Sequence, residues 1–141
     1  MENGPKRLLF VDDERGIRET LAAILRRYTF QVTLAASVSQ ALDAMAKQEF
    51  DILLCDLNLE REGDGFDVIR AMRQFNANCV ILILTGHPAI GTVIEAMQLG
   101  IDDYITKPAS ADTLVAMLAN KLSSHKRFSP PAVLQKENPV S

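Results

Sequence analysis

Short apolar runs alternate with helix-like patterns along most of this 141-residue chain, and this alternation limits the fold more than any other feature. The five runs that read as strands are Leu8–Val11, Gln31–Ala35, Ile52–Cys55, Val80–Leu84 and Tyr104–Ile105. Apolar residues at helical spacing follow each run. Strands that are apolar throughout are buried on both faces, which requires a parallel sheet with helices on each side.

The repeated β–α units predict an α/β fold. Right-handed crossovers leave few topologies. The short first strand followed by acids, and the number of repeats, favour a five-stranded parallel sheet in the order 2-1-3-4-5, which is a flavodoxin-like, doubly wound (βα)5 architecture. We expect the domain to cover residues 6–123, after an N-terminal extension of residues 1–5. Residues 124–141 are too few for a second domain, which needs about 40, so we predict a flexible tail or a linker fragment there.

The composition argues against several classes of protein. A net charge of −3 and a sequence pI near 5.3 argue against direct nucleic-acid binding, which normally uses a basic surface. No apolar run approaches the roughly 18 residues of a membrane helix, and the first residues contain no apolar signal core. Cys55 and Cys79 lie inside apolar runs without metal-ligand spacing. We interpret them as reduced core thiols and expect a cytoplasmic protein.

Side chains suited to chemistry follow four of the five predicted strands. In an open parallel sheet the carboxyl ends of the strands meet at one edge, where ligands bind. Grouped carboxylates repel one another unless a cation lies among them, and Mg2+ prefers such oxygen ligands. A hydroxyl and an ammonium beside them are the groups that a phosphoryl group requires. The residues predicted at this edge are Asp12, Asp13, Glu14, Asp56, Asn58, Thr85 and Lys107.

Asp56 is the best candidate for a nucleophile that forms an aspartyl phosphate. It lies between the acidic pair and the side of the edge that carries Thr85 and Lys107. Each of these residues alone is also compatible with ordinary turn chemistry, because Asp, Asn and Thr are common at strand ends. Turn chemistry does not explain why four strands each deliver a suitable group, so the sequence favours a site for a cation and a phosphoryl group.

The chain resembles the receiver domain of two-component response regulators over about residues 6–123. The motifs that carry the resemblance are Val11-Asp12-Asp13-Glu14, Cys55-Asp56-Leu57-Asn58, Leu84-Thr85-Gly86 and Asp103-Tyr104-Ile105-Thr106-Lys107-Pro108. The resemblance implies that Asp56 accepts a phosphoryl group from a sensor histidine kinase or a phosphotransfer protein. It further implies that Asp13 and Asp56 bind Mg2+ together with the main-chain carbonyl of Asn58, with Asp12 acting largely through water.

The resemblance also assigns a switch. Thr85 is expected to bond a phosphoryl oxygen after moving inward, and Tyr104 is expected to turn inward with it. Lys107 would pair first with the acceptor carboxylate and then with the phosphoryl group, and the Lys107–Pro108 peptide is expected to be cis. The surface of helix 4, strand 5 and helix 5 is where such domains commonly form homodimers or meet a partner. His87 and Asn58 lie where the family tunes dephosphorylation.

The loop after Asp56 departs from the family pattern, because Glu60 stands where a proline is usual and the loop before Gly65 is one residue longer. Three other functions fit these residues less well. A Mg2+-dependent phosphohydrolase would need an acid two residues after the nucleophile, where this chain has Asn58. A flavin mononucleotide carrier would need a phosphate cradle in place of the first acidic group, and a pseudo-receiver would lack one of the key residues. We expect a signalling domain that turns over no external metabolite.

Overall fold

The computed structural model describes residues 4–128, which form a five-stranded parallel sheet in the order β2-β1-β3-β4-β5. The predicted fold class and strand order are confirmed. The strands are β1 (Arg7–Val11), β2 (Gln31–Ala35), β3 (Ile52–Cys55), β4 (Val80–Thr85) and β5 (Asp103–Thr106). The helices are α1 (Arg15–Arg27), α2 (Val38–Lys47), α3 (Gly65–Phe75), α4 (Ile90–Gln98) and α5 (Ala111–Phe128).

The last helix continues past the predicted end of the domain at residue 123, because α5 extends to Phe128, the last residue that the structure describes. Neither Gly nor Pro occurs between Ala111 and Phe128, so no helix-breaking residue lies within α5. The predicted tail, residues 124–141, therefore begins inside α5. Residues 129–141 of that tail, and residues 1–3 of the predicted extension, lie outside the described residues.

Two apolar cores lie on opposite faces of the sheet. Helices α2, α3 and α4 cover one face, whereas α1 and α5 cover the other. Within β1, Leu9 and Val11 belong to the first core and Leu8 and Phe10 to the second, because successive side chains of a strand point to opposite faces. Within residues 4–128, no helix combines the length and the apolar character needed to span a bilayer.

Helix α4 is attached differently at its two ends. Its apolar side chains Ile90, Ile94 and Met97 are 80%, 52% and 69% exposed, so the helical spacing that predicts the helix does not identify a buried face. Beyond its C-terminal end, the Arg73 guanidinium donates to the Leu99 carbonyl at 3.2 Å and to the Gly100 carbonyl at 2.6 Å. The helix is thus fixed to α3 at its C-terminal end and presents an apolar stripe to the outside.

Gly65 lets α3 begin directly against the end of β3. A Cβ atom at this position would lie 2.1 Å from the carbonyl oxygen of Asp56 and 2.7 Å from the Cα of Leu57. The close approach is also a hydrogen bond, since the Gly65 amide donates to the Leu57 carbonyl at 2.8 Å. A residue without a side chain is therefore required where the helix meets the segment that carries Asp56.

We expect Gly65→Ala to lower the free energy of unfolding by about 3 kcal/mol, because the new methyl group meets rigid backbone atoms. Gly91→Ala is the matched control, since a Cβ at Gly91 in α4 would meet nothing within 4 Å. That control should raise the free energy of unfolding by about 0.5 kcal/mol through helix propensity. Urea unfolding of both variants measures the difference, and a loss below about 1 kcal/mol for Gly65→Ala would contradict the close packing.

Candidate functional site

Strand pairing brings three carboxylates together at the carboxyl edge of the sheet. Val11 and Cys55, the last residues of β1 and β3, are paired in register. Asp12 and Asp56, which follow them, therefore lie side by side. Asp13 adds a third carboxylate, and one oxygen from each of the three lies within 4.8 Å of the others. Asp12 and Asp56 are buried, whereas Asp13 is exposed. The three acids therefore form one cluster that opens to solvent on one side.

The ammonium of Lys107 lies against this cluster. Its Nζ is 2.8 Å from Oδ2 of Asp12, 3.0 Å from Oδ2 of Asp56 and 3.3 Å from Oε1 of Glu14. The backbone of the lysine is held as well, because its amide donates to the Thr85 carbonyl at 2.8 Å. The Lys107–Pro108 peptide bond is cis. One side chain from the end of β5 thus contacts the residues that follow β1 and β3.

Burial and charge act in opposite directions on the pKa values of this cluster. Burial raises the pKa of Asp56, against the lowering effect of the hydrogen bond from Lys107. Burial disfavours the charged form of Lys107, but the adjacent carboxylates of Asp12 and Asp56 outweigh it and raise the pKa of the ammonium. The lysine is therefore held protonated, while ionisation of Asp56 is opposed by its surroundings.

The cluster suits a divalent cation. The buried Oδ2 of Asp12 accepts no hydrogen bond of suitable geometry within the described part of the chain, although the Lys107 ammonium lies near it. The Lys107 ammonium pairs with the carboxylates of Asp12, Glu14 and Asp56, and Asp13 adds a further negative charge to the cluster. All of the ligand atoms are hard oxygens, and the exposed side leaves room for water or an oxyanion, as magnesium and calcium sites require.

Thr85 and His87 occupy the end of β4 beside the lysine. Thr85 is fully buried, and its hydroxyl oxygen accepts a hydrogen bond from the His87 amide at 3.3 Å. His87 itself is exposed. Thr85 pairs in register with Thr106, the residue before Lys107, so the hydroxyl and the ammonium come from adjacent strands. The structure thus brings Thr85 to the same edge of the sheet as the acidic cluster.

Tyr104 is partly exposed and bonded to α4. Its hydroxyl lies 3.0 Å from the hydroxyl of Thr92, which in turn donates to the Ala89 carbonyl at 2.7 Å. The tyrosine of β5 is therefore tied to the first turn of α4. Thr92 was not among the predicted site residues, because no sequence pattern indicates that a threonine of α4 contacts a tyrosine of β5.

The loop after β3 is held by hydrogen bonds to two side chains, those of Asn58 and Asp64. Asn58 behaves as a turn residue: its amide donates to Oδ1 of Asp56 at 3.2 Å, and its side-chain oxygen accepts from the Gly63 amide at 2.8 Å. Asp64, 6% exposed, accepts hydrogen bonds from three amides of the same loop. Asp64 was not among the predicted site residues, because an aspartate just before a predicted helix is typical of an ordinary N-cap.

The comparisons with known proteins agree on one family. The response regulator receiver domain family matches residues 8–119 of the chain. The transcriptional regulatory protein ZraR of Escherichia coli (strain K12) is 35% identical over 116 residues, which cover 82% of this chain and 26% of ZraR. The chain thus spans about a quarter of the length of such curated relatives.

Solved structures give the same picture. A CheY-like receiver domain protein from Methanospirillum hungatei JF-1 superposes with a TM-score of 0.82 at 24% identity, covering 89% of this chain and 99% of that one, which shows the fold. A response regulator from Burkholderia pseudomallei, solved with a phosphorylated aspartic acid, a calcium ion and citrate, has a TM-score of 0.75 and 29% identity. Coverage is 89% of this chain and 75% of that one. The predicted resemblance is confirmed, and the chain belongs to the response regulator receiver domain family.

Proposed function

We propose that this receiver domain is switched by phosphorylation of Asp56, with a sensor histidine kinase or a phosphotransfer protein as donor and Mg2+ as cofactor. The observation that carries the proposal is the position of the Lys107 ammonium, which contacts Asp12 and Asp56 within one acidic cluster. The phosphorylated aspartic acid and the calcium ion of the related Burkholderia structure support the same assignment. Asp12, Asp13, Asp56 and the carbonyl of Asn58 would hold the ion.

In this proposal a carboxylate oxygen of Asp56 attacks the phosphorus atom of a phosphohistidine. The new P–O bond forms as the P–N bond breaks, and the electron pair of that bond leaves with the imidazole nitrogen. When bound, Mg2+ would supply positive charge beside the phosphoryl oxygens. Lys107 stabilises the ionised carboxylate before transfer, and afterwards its ammonium pairs with a phosphoryl oxygen.

The switch would run from Thr85 through Tyr104 to α4. Phosphorylation adds negative charge and acceptor oxygens, which favour turning the Thr85 hydroxyl away from the His87 amide. Space then opens for Tyr104, whose hydroxyl would leave Thr92. Because Thr92 belongs to the first turn of α4, this exchange changes the surface of α4, β5 and α5.

Asn58 and His87 are proposed to tune dephosphorylation from the rim of the site. The phosphohydrolase alternative is disfavoured, because the Asn58 amide has no acidic proton and its oxygen already accepts from the Gly63 amide. We expect catalysis only of the domain's own phosphorylation and dephosphorylation. We propose a cytoplasmic location, with which the two free, buried cysteines, Cys55 and Cys79, are consistent.

The partner surface is proposed to include a homodimer contact through α4, β5 and α5. The exposed stripe of Ile90, Ile94 and Met97 on α4 supports it, because large apolar side chains grouped on one helix face mark interaction surfaces. No direct nucleic-acid contact by this chain is proposed. A membrane partner is not proposed either.

Incubation with Mg2+ and acetyl phosphate is expected to add one phosphoryl group to the chain, measured by intact mass. Asp56→Asn should abolish the addition, and so should removal of the metal by EDTA. Asp67→Asn is the matched control, because Asp67 is an exposed acid in the first turn of α3 that pairs with Arg70 away from the cluster. An unmodified wild-type chain with bound Mg2+ would contradict the proposed function.

Asp56→Asn is expected to raise the free energy of unfolding in metal-free buffer at about pH 7 and to have little effect near pH 4. Burial raises the pKa of Asp56 above its usual value of 3.8, so the folded chain holds this proton more tightly than the unfolded chain. Ionisation therefore costs the folded state stability as the pH rises above 3.8, and asparagine avoids that cost. Urea unfolding at both pH values measures the effect. A gain that is equal at the two pH values would contradict it.

Ile94→Glu is expected to keep the phosphorylated domain monomeric under conditions in which the phosphorylated wild type dimerises, as measured by sedimentation velocity. The matched control is Leu42→Glu, because Leu42 is an apolar residue of α2 that is also exposed, at 39%, outside the proposed contact. This control should still dimerise. A wild type that stays monomeric after complete phosphorylation would contradict the proposed homodimer.

A further inference from the structure

Asp64 does not behave as the helix cap that its position suggests. It precedes α3 as the N-cap residue, yet its side chain makes no capping hydrogen bond to that helix. Its carboxylate instead turns back over the loop. Oδ1 accepts from the Leu59 amide at 2.8 Å, and Oδ2 accepts from the Glu60 and Arg61 amides at 3.0 Å each. A carboxylate that accepts hydrogen bonds from several backbone N–H groups forms charge-assisted bonds, which fix the orientation of those N–H groups.

These bonds determine the orientation of the peptide units on both sides of Asn58. The N–H and C=O groups of a trans peptide point in opposite directions, so the bond from the Leu59 amide to Asp64 fixes where the Asn58 carbonyl points. The preceding unit is fixed by two contacts. The Leu57 carbonyl accepts from the Gly65 amide at 2.8 Å, and the Asn58 amide donates to Asp56 at 3.2 Å.

The same carboxylate explains how the loop closes without proline. A proline at position 60 would have no N–H group, whereas Glu60 donates its N–H to Asp64 at 3.0 Å. Gly63 has a positive φ of 79°, and its amide donates to the side chain of Asn58. The extra residue of the loop is therefore accommodated by hydrogen bonds that converge on two side chains, Asp64 and Asn58.

We propose that Asp64 is a positioning residue for the cation site, acting through the Leu59 amide to hold the Asn58 carbonyl in the direction that a cation needs. This inference rests on the proposed function, in which that carbonyl is a Mg2+ ligand. Asp64 itself would not touch the ion. Replacing a residue that orients a metal ligand without contacting the metal typically lowers the metal affinity by roughly 10- to 100-fold.

Asp64→Asn tests the inference, because an amide has one acceptor oxygen and would place an NH2 group against the other loop amides. We expect the amides of Leu59, Glu60 and Arg61 to exchange hydrogen faster in this variant without metal. We also expect the Mg2+ dissociation constant to rise by about tenfold. Asp64→Ser, which places no NH2 group against these amides, provides a second variant with the same expected direction.

Asp67→Asn is the control for charge, because it removes one carboxylate from the same first turn of α3 without touching the loop amides. Its Mg2+ affinity should stay within twofold of the wild type. The loss for Asp64→Asn should persist at about 0.5 M KCl, where exposed charges are screened. A change below twofold in Asp64→Asn and Asp64→Ser, or a loss that disappears in salt, would overturn the inference. Failure of the wild type to bind Mg2+ would overturn the proposed function instead.

Discussion

The site depends on one electrostatic arrangement, in which the Lys107 ammonium lies against grouped carboxylates at the carboxyl edge of the sheet. Parallel pairing of β1 and β3 makes this grouping unavoidable, because it places the residues after both strands side by side. Lys107, delivered by β5, contacts Asp12 and Asp56 and lowers the repulsion between them. It cannot neutralise all of the negative charge, so the cluster still attracts a cation.

The framework around this edge is closely packed beside the acidic cluster and less so at Tyr104. The central strands β1, β3 and β4 are buried along almost their whole length, and Gly65 and Asp64 hold the loop after β3. Tyr104, by contrast, is partly exposed and bonded through its hydroxyl to Thr92. A change of charge at the acidic cluster can then displace Tyr104, because few hydrogen bonds have to break.

Much of the fold and of the site follows from the sequence, because both depend on where apolar runs stop. Asp12, Asp56, Thr85 and Lys107 could be placed together without coordinates, since all of them follow strands whose ends must share one edge. Contacts that depend on side-chain direction were not predictable in this way. The turn of Asp64 back over its loop is one example. The outward stripe of α4 is another, because periodicity defines an apolar face without saying what covers it.

The unequal attachment of α4 limits how that helix can respond. Arg73 holds the carbonyls that follow its C-terminal end, while its N-terminal turn bonds to the tyrosine of β5 through the hydroxyl of Thr92. While the Arg73 hydrogen bonds persist, α4 would rotate about its C-terminal end rather than translate. Its displacement would therefore grow from Gly100 towards Ile90. The guanidinium of Arg73 would then be the hinge point, and Ile90, the most exposed of the stripe residues, would move furthest.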